Sequence, residues 1–208
     1  MEIVLASKNP KKIKELHAIL SKDIPNISIR SLADVGIVDD IVEDGETFAE
    51  NALIKARAAY RAGGGKYIGI GDDSGLCVDA LDGAPGVYSA RFAGGHGDDA
   101  ANNRELLRRL ENIPDSDMGA AFVSVIACVY TDEEGREASF TVRGEVRGEI
   151  IREARGEGGF GYDPYFYYPP LNKTFSELSS DEKNEISHRA RAICALKHKL
   201  TELNFENI

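Results

Sequence analysis

The stretch Tyr67-Ile-Gly-Ile-Gly-Asp-Asp-Ser-Gly-Leu-Cys-Val78 mixes strand and turn signals in the first half of the chain. Tyr67–Gly71 has strand character and runs into the acids Asp72-Asp73 and then Ser74-Gly75, while Leu76–Val78 resumes as a further strand. The flanks on both sides read as strands and helices in turn. Upstream, Glu2–Ala6 is a short apolar strand that breaks into Ser7-Lys-Asn-Pro-Lys-Lys12. A helix follows to about Leu20, with Ile13, Leu16, Ile19 and Leu20 on one face and Pro10 in a first turn that needs no N–H. Ile27–Ser31 reads as a second strand. An acidic segment (Asp39, Asp40, Glu43, Asp44) then leads to Thr47 and Glu50 at capping-box spacing. That helix carries Phe48, Ala52, Leu53, Ala56 and Ala59 on one face, with Asn51 and Lys55 a turn apart on its more polar side, and Gly63-Gly64-Gly65 ends it.

Downstream, Gly83-Ala-Pro-Gly-Val-Tyr-Ser-Ala-Arg91 reads as a loop, and a helix is predicted from about Asp98 to Leu110. Ala120–Tyr130 and Arg136–Ile150 flank a polar Asp132–Gly135 turn, the pattern of a long hairpin. Gly156–Asp163 is glycine-rich, and Ser180–Leu203 reads as one long C-terminal helix. There is no internal repeat, no low-complexity tract and no linker between independent domains. Residues 1–208 are therefore expected to form a single domain of α/β or α+β class, with a cleft between lobes.

Composition narrows the function. The 208 residues are long enough to bury on the order of 70% of the unfolded surface, so no disulfide or metal staple is needed. The net charge of −10, with no basic block, is the wrong sign for a protein that binds long nucleic acids by releasing counterions. Cys77, Cys128 and Cys194 form no CxxC and have no metal-like spacing to histidine, so they read as buried, reduced thiols. No apolar run approaches ~18 residues, so no membrane partner is expected, and the location expected is cytoplasmic.

Several clusters have chemical potential, and each also has a plainer reading. Ser7-x-Asn9-x-x-Lys12 sits at a strand-to-helix junction, where free N–H groups suit phosphate, but it also reads as a helix cap with a solvated lysine. Asp72-Asp73-Ser74-Gly75 offers hard oxygen ligands for Mg²⁺ and a carboxylate that can activate water; it also reads as a polar turn. Glu43 could complete a metal site or simply sit near a helix start. Gly156-Glu-Gly-Gly-Phe-Gly161 matches the dinucleotide pattern, but Pro164 and the aromatics around it deny the helix that pattern requires. A loop presenting Phe160 to a base fits better, with core aromatics as the alternative for Phe160 and Tyr162. Lys183, Ser187 and His188 fall near one helix face, either as donors to a purine edge or as a charged solvent face.

It is the order of the motifs that carries specificity. Ser7-x-Asn9-x-x-Lys12, Thr47-Phe-x-Glu-Asn51-Ala, Asp72-Asp-Ser-Gly-Leu76, Gly83–Arg91, Phe160-Gly-Tyr-Asp-Pro164 and Ser187-His-Arg189 occur in succession. Together they resemble the inosine triphosphate pyrophosphatase family, also called dITP/XTP pyrophosphatases, from about Ile3 to Leu200. The resemblance implies an elongated mixed sheet flanked by helices, two lobes around a central nucleotide-binding cleft, a homodimer, and Mg²⁺ as cofactor. It also implies hydrolysis of nonstandard purine nucleoside triphosphates to monophosphate and pyrophosphate. By position, Ser7, Lys8, Asn9, Pro10, Lys11 and Lys12 would bind the triphosphate. Glu43 and Asp73 would serve the metal, with Asp73 also the general base, and Ser74 would contact substrate. Phe160, Gly161, Tyr162 and Asp163 would embrace the base, and Lys183, His188 and Arg189 would set base specificity. One departure is Lys8, where many members have glycine. A pyrophosphatase for another modified nucleotide, or a nucleotide-sensing module without turnover, are the alternatives.

Overall fold

A computed structural model describes residues 1–7, 10–22, 24, 26–37, 41–95 and 97–203, with backbone alone at residues 10 and 11. Seven strands form one mixed sheet: β1 (Glu2–Leu5), β2 (Ser28–Ser31), β3 (Ile68–Val78), β4 (Gly119–Thr131), β5 (Glu137–Ile150), β6 (Phe166–Tyr168) and β7 (Lys173–Thr174). Their order is β2-β1-β3-β4-β5-β6-β7. β1 pairs parallel with β2 and with β3, Ile3 lying opposite Ile29 and Ile68, whereas β6 pairs antiparallel with β5 and β7. The helices are α1 (Pro10–Leu20), α2 (Phe48–Ala62), α3 (Asp99–Arg109), α4 (Ser180–Ile186) and α5 (His188–Glu202). None of the described helices is long and apolar enough to cross a membrane.

The chain divides into two compact units. The first comprises Met1–Asp73, Ser124–Gly144 and Arg189–Ile208; the second comprises Ser74–Val123 and Glu145–His188. β3, β4 and β5 thus contribute residues to both.

In the first unit, period-two alternation along β3 sends Ile68 and Ile70 to a core shared with Leu16 and Leu20 of α1 and Ile193 and Leu196 of α5. The opposite face carries Gly71, on which α2 is seated so closely that a Cβ there would lie 2.1 Å from the Ala52 carbonyl. The start of α2 is the predicted capping box, with Thr47 Oγ1 accepting the Glu50 N–H and Glu50 Oε2 accepting the Thr47 N–H. The second unit has its own core of Leu76, Val78, Leu106, Leu110 and Val146 around an aromatic group. Phe122 lies 4.6 Å from Phe166, 5.5 Å from Phe175 and 4.9 Å from the ring of His188, centroid to centroid.

The structure corrects four sequence expectations. β3 runs unbroken through Asp72–Gly75; it lies between β1, paired as far as Ile70, and β4, and its two acids are received by Lys12 and Lys55. The single C-terminal helix is two, since Ser187 adopts extended backbone (φ −64°, ψ 155°) between α4 and α5. Gly86–Arg91, read as loop, is a 3₁₀ turn. The cysteines are not all buried: Cys128 is, whereas Cys77 is half-buried and Cys194 exposed; Asn51 and Lys55, on the more polar side of α2, are both buried. The hairpin and the helix after its Asp98 cap fall where predicted.

Candidate active site

Consecutive residues of a strand point to opposite faces, so Asp72 and Asp73 diverge. Asp73 meets α2, where four-residue spacing brings Asn51 and Lys55 to one side. Lys55 Nζ lies 2.9 Å from Asp73 Oδ1 and 2.9 Å from Glu43 Oε2. Asn51 Nδ2 donates to Asp73 Oδ2 at 3.3 Å, while its Oδ1 accepts the Gly45 N–H at 2.9 Å and ties down the acidic segment. Burial raises the Asp73 carboxyl above the usual carboxylate range; Lys55 opposes the shift and Glu43 adds to it. For Lys55, burial works downward, but Asp73 and Glu43 outweigh it and hold the ammonium firmly charged.

Asp72 turns to the α1 and α5 side and is nearly inaccessible. Lys12 Nζ lies 2.7 Å and Arg189 Nε 3.2 Å from its Oδ2, and Ser124 Oγ donates to Oδ1 at 2.8 Å. Arg189 Nη1 also reaches Glu15 Oε2 at 3.2 Å. Burial pushes the Asp72 carboxyl upward, but Lys12 and Arg189 prevail and hold it well below the ordinary range. Burial lowers Lys12 despite Asp72, and Arg189 adds to the lowering.

In the second unit, residues 156–163 form turns without a helix, in line with the discounted dinucleotide reading. Asp163 Oδ2 accepts Lys183 Nζ at 2.5 Å and the Phe160 N–H at 2.8 Å. That carboxylate curls under Gly159, whose φ is +80° and whose missing Cβ would sit 2.3 Å from Asp163 Oδ2. The Phe160 ring stays 50% exposed, and Lys183 Nζ lies 4.9 Å from its centroid. Tyr162 is buried and donates to the Ser89 carbonyl at 2.8 Å.

Lys12, Glu43, Asp73 and Arg189 therefore belong to the first unit, and Ser74, Phe160–Asp163, Lys183 and His188 to the second. Ser7 ends β1's extension, its N–H donating to the Leu5 carbonyl. Lys8 and Asn9, the side chains of Pro10 and Lys11, and the upstream acids Asp39 and Asp40 lie outside the described residues. Arg189 was expected to read a base; its guanidinium is engaged by Asp72 and Glu15. Asn51, Lys55, Ser124 and Glu15 were not picked out as site residues, although the Asn51–Lys55 spacing was visible, and Asp72 was weighed only as a metal-ligating neighbour of Asp73.

The two carboxylates on Lys55 suit a divalent cation. Mg²⁺ takes one or two carboxylates and completes its shell with water and substrate phosphates. Glu43 and Asp73 converge on one cationic point, and among the described residues no group of three or more His, Cys, Asp or Glu forms an all-protein cage.

The protein-family model described as Ham1 family matches residues 3–199. A protein of Haemophilus ducreyi named dITP/XTP pyrophosphatase is 48% identical over 199 residues, covering 96% of this chain and 98% of its own. One of Leuconostoc mesenteroides with the same name is 45% identical, covering 96% of each chain. Among solved structures, a HAM1 protein from Coxiella burnetii superposes with a TM-score of 0.86 at 44% identity, covering 97% of this chain and 99% of that one.

Proposed function

Because the chain belongs to the Ham1 family, we propose that it hydrolyses nonstandard purine nucleoside triphosphates (dITP, ITP, XTP, dXTP) to the monophosphate and pyrophosphate. The observation that carries this reading is the gathering of Glu43 and Asp73 on Lys55, with Asp73 raised toward the range of a useful base. Asn51 and Lys55 fix the Asp73 carboxylate, which keeps free lone pairs to accept a proton from the attacking water. Mg²⁺ at Glu43 and Asp73, when bound, supplies charge stabilisation to the phosphates. Lys12 offers a point charge to the departing pyrophosphate, and Asp72 fixes where its ammonium stands.

Phe160 offers a stacking face, and Lys183 a donor that suits the 6-keto oxygen of hypoxanthine or xanthine. Adenine presents an amino donor there and leaves the site's donor unpaired, which disfavours ATP. A part for Arg189 in base reading rests on the family resemblance. The same reading includes a homodimer in the cytoplasm.

The test incubates the protein with dITP, ITP, XTP, GTP and ATP, with Mg²⁺ or with EDTA, and quantifies pyrophosphate and orthophosphate. The expected result is pyrophosphate from the first three, little from GTP or ATP, and none with EDTA. Orthophosphate as first product, or turnover unaffected by EDTA, overturns the reaction or the cofactor.

A further inference from the structure

The segment that presents Phe160 is held from a side that the reaction does not use. Gly161 is gripped at both ends of its backbone by α3: its N–H donates to Asp99 Oδ2 at 2.7 Å, and its carbonyl accepts Asn103 Nδ2 at 2.8 Å. Asn103 also donates to the Asp99 carbonyl at 2.9 Å, so one amide ties the loop to the first turn of α3. One turn apart, Asp99 and Asn103 share a helix face, and Asp98 caps the helix by accepting the Ala101 N–H at 2.9 Å.

Two observations set this contact apart from ordinary loop packing. Asn103 is buried, and its Oδ1 has no hydrogen-bond partner among the described residues. An unsatisfied buried acceptor works against stability, so the amide is there for its donor half. The segment is also held at three further points: Asp163 holds the Phe160 N–H, the Asp163 carbonyl accepts the Ser176 N–H, and Tyr162 is anchored on Ser89. A backbone restrained this fully, next to a ring left half exposed, has met its ordering cost before any ligand arrives.

We propose that Asp99 and Asn103 are positioning residues that hold the Gly161 peptide, and through it keep Phe160 ready to stack on a base. The stacking partner is the purine of the proposed function, on which this part of the inference rests. Neither residue touches the substrate; each acts through Gly161.

The chain contains no tryptophan, so Phe160→Trp introduces a single fluorescent reporter at the platform. In that background, Asp99→Ala and Asn103→Ala should each lower indole anisotropy and increase quenching by acrylamide. With Phe160 intact, each should raise KM for XTP about tenfold with kcat nearly unchanged, the cost of re-ordering roughly one backbone residue on binding. Asp98→Ala is the control, since it weakens the same helix turn without touching Gly161. It should lower Tm and leave indole mobility and KM alone. Asp99→Asn, which removes the charge and keeps the shape, guards against a variant that fails to fold.

Unchanged indole mobility in a folded Asp99→Ala or Asn103→Ala protein overturns the clamp, as does an Asp98→Ala protein that loosens the indole equally. A loosened indole with unchanged KM leaves the clamp standing and overturns the stacking role given to Phe160.

Discussion

Asp72 and Asp73 are chemically identical neighbours on β3, yet they face opposite sides of the sheet and meet opposite circumstances. Asp72 looks toward α1 and α5, where Lys12 and Arg189 neutralise it twice over and Ser124 satisfies its second oxygen. Asp73 looks toward α2, where one lysine is shared with a second carboxylate. Burial raises both carboxyls; the surplus of cations reverses the effect at Asp72, and their shortage leaves it in place at Asp73. The first is a permanent anion that organises cations, and the second an acceptor whose proton affinity is worth having. Protonation behaviour is thus decided by the helices packed on each face, not by residue type.

The largest way to break the comparison is Asp73→Asn. It is expected to lower pyrophosphate release by ~10²–10⁴ while the urea midpoint stays near wild type, the scale for loss of a general base. Near-normal turnover removes Asp73 from that role. Next is Asp72→Asn, which takes the counter-ion from half-buried Lys12 and leaves buried Arg189 with Glu15 alone, and should cost roughly 3 kcal/mol in urea unfolding. The pH dependence follows from the depressed folded pKa: this stabilisation is complete above the unfolded value of about 3.9 and is lost as pH falls through the folded value. The gap between wild type and variant should hold steady at neutral pH and narrow only in strong acid. Ser124→Ala leaves Asp72 its ion pairs and removes one buried hydrogen bond, so unfolding should report about 1.5 kcal/mol. The finest effect belongs to Asn51→Ala. Loss of a donor that favours charged Asp73 raises its pKa further, so the acid limb of kcat moves to higher pH; a limb that does not move argues against Asp73 as the titrating base.

Much of this was legible in the sequence, unevenly. The Thr47–Glu50 cap, the glycine stop and the 120–150 hairpin are local signals, and they fall where expected. The two faces of β3 were not legible, because two acids before Ser-Gly read as a turn until the helices that receive them are known. The burial of Lys55 was not legible either: the sequence places it only on the more polar side of α2, and its burial depends on Gly71 letting α2 approach the strand. The Ser187 break carries neither Gly nor Pro, so local sequence gives no stop there. The Asp99–Asn103 grip on Gly161 joins residues about sixty positions apart, and no spacing rule announces it.

The most direct test of the account is the fate of oxygen when XTP is hydrolysed in water enriched in heavy oxygen, with the products read by mass spectrometry. Attack by water at the α-phosphorus, with Asp73 taking its proton, predicts the heavy atom in the monophosphate and unlabelled pyrophosphate. Label in pyrophosphate instead would place the attack on another phosphorus and contradict the account.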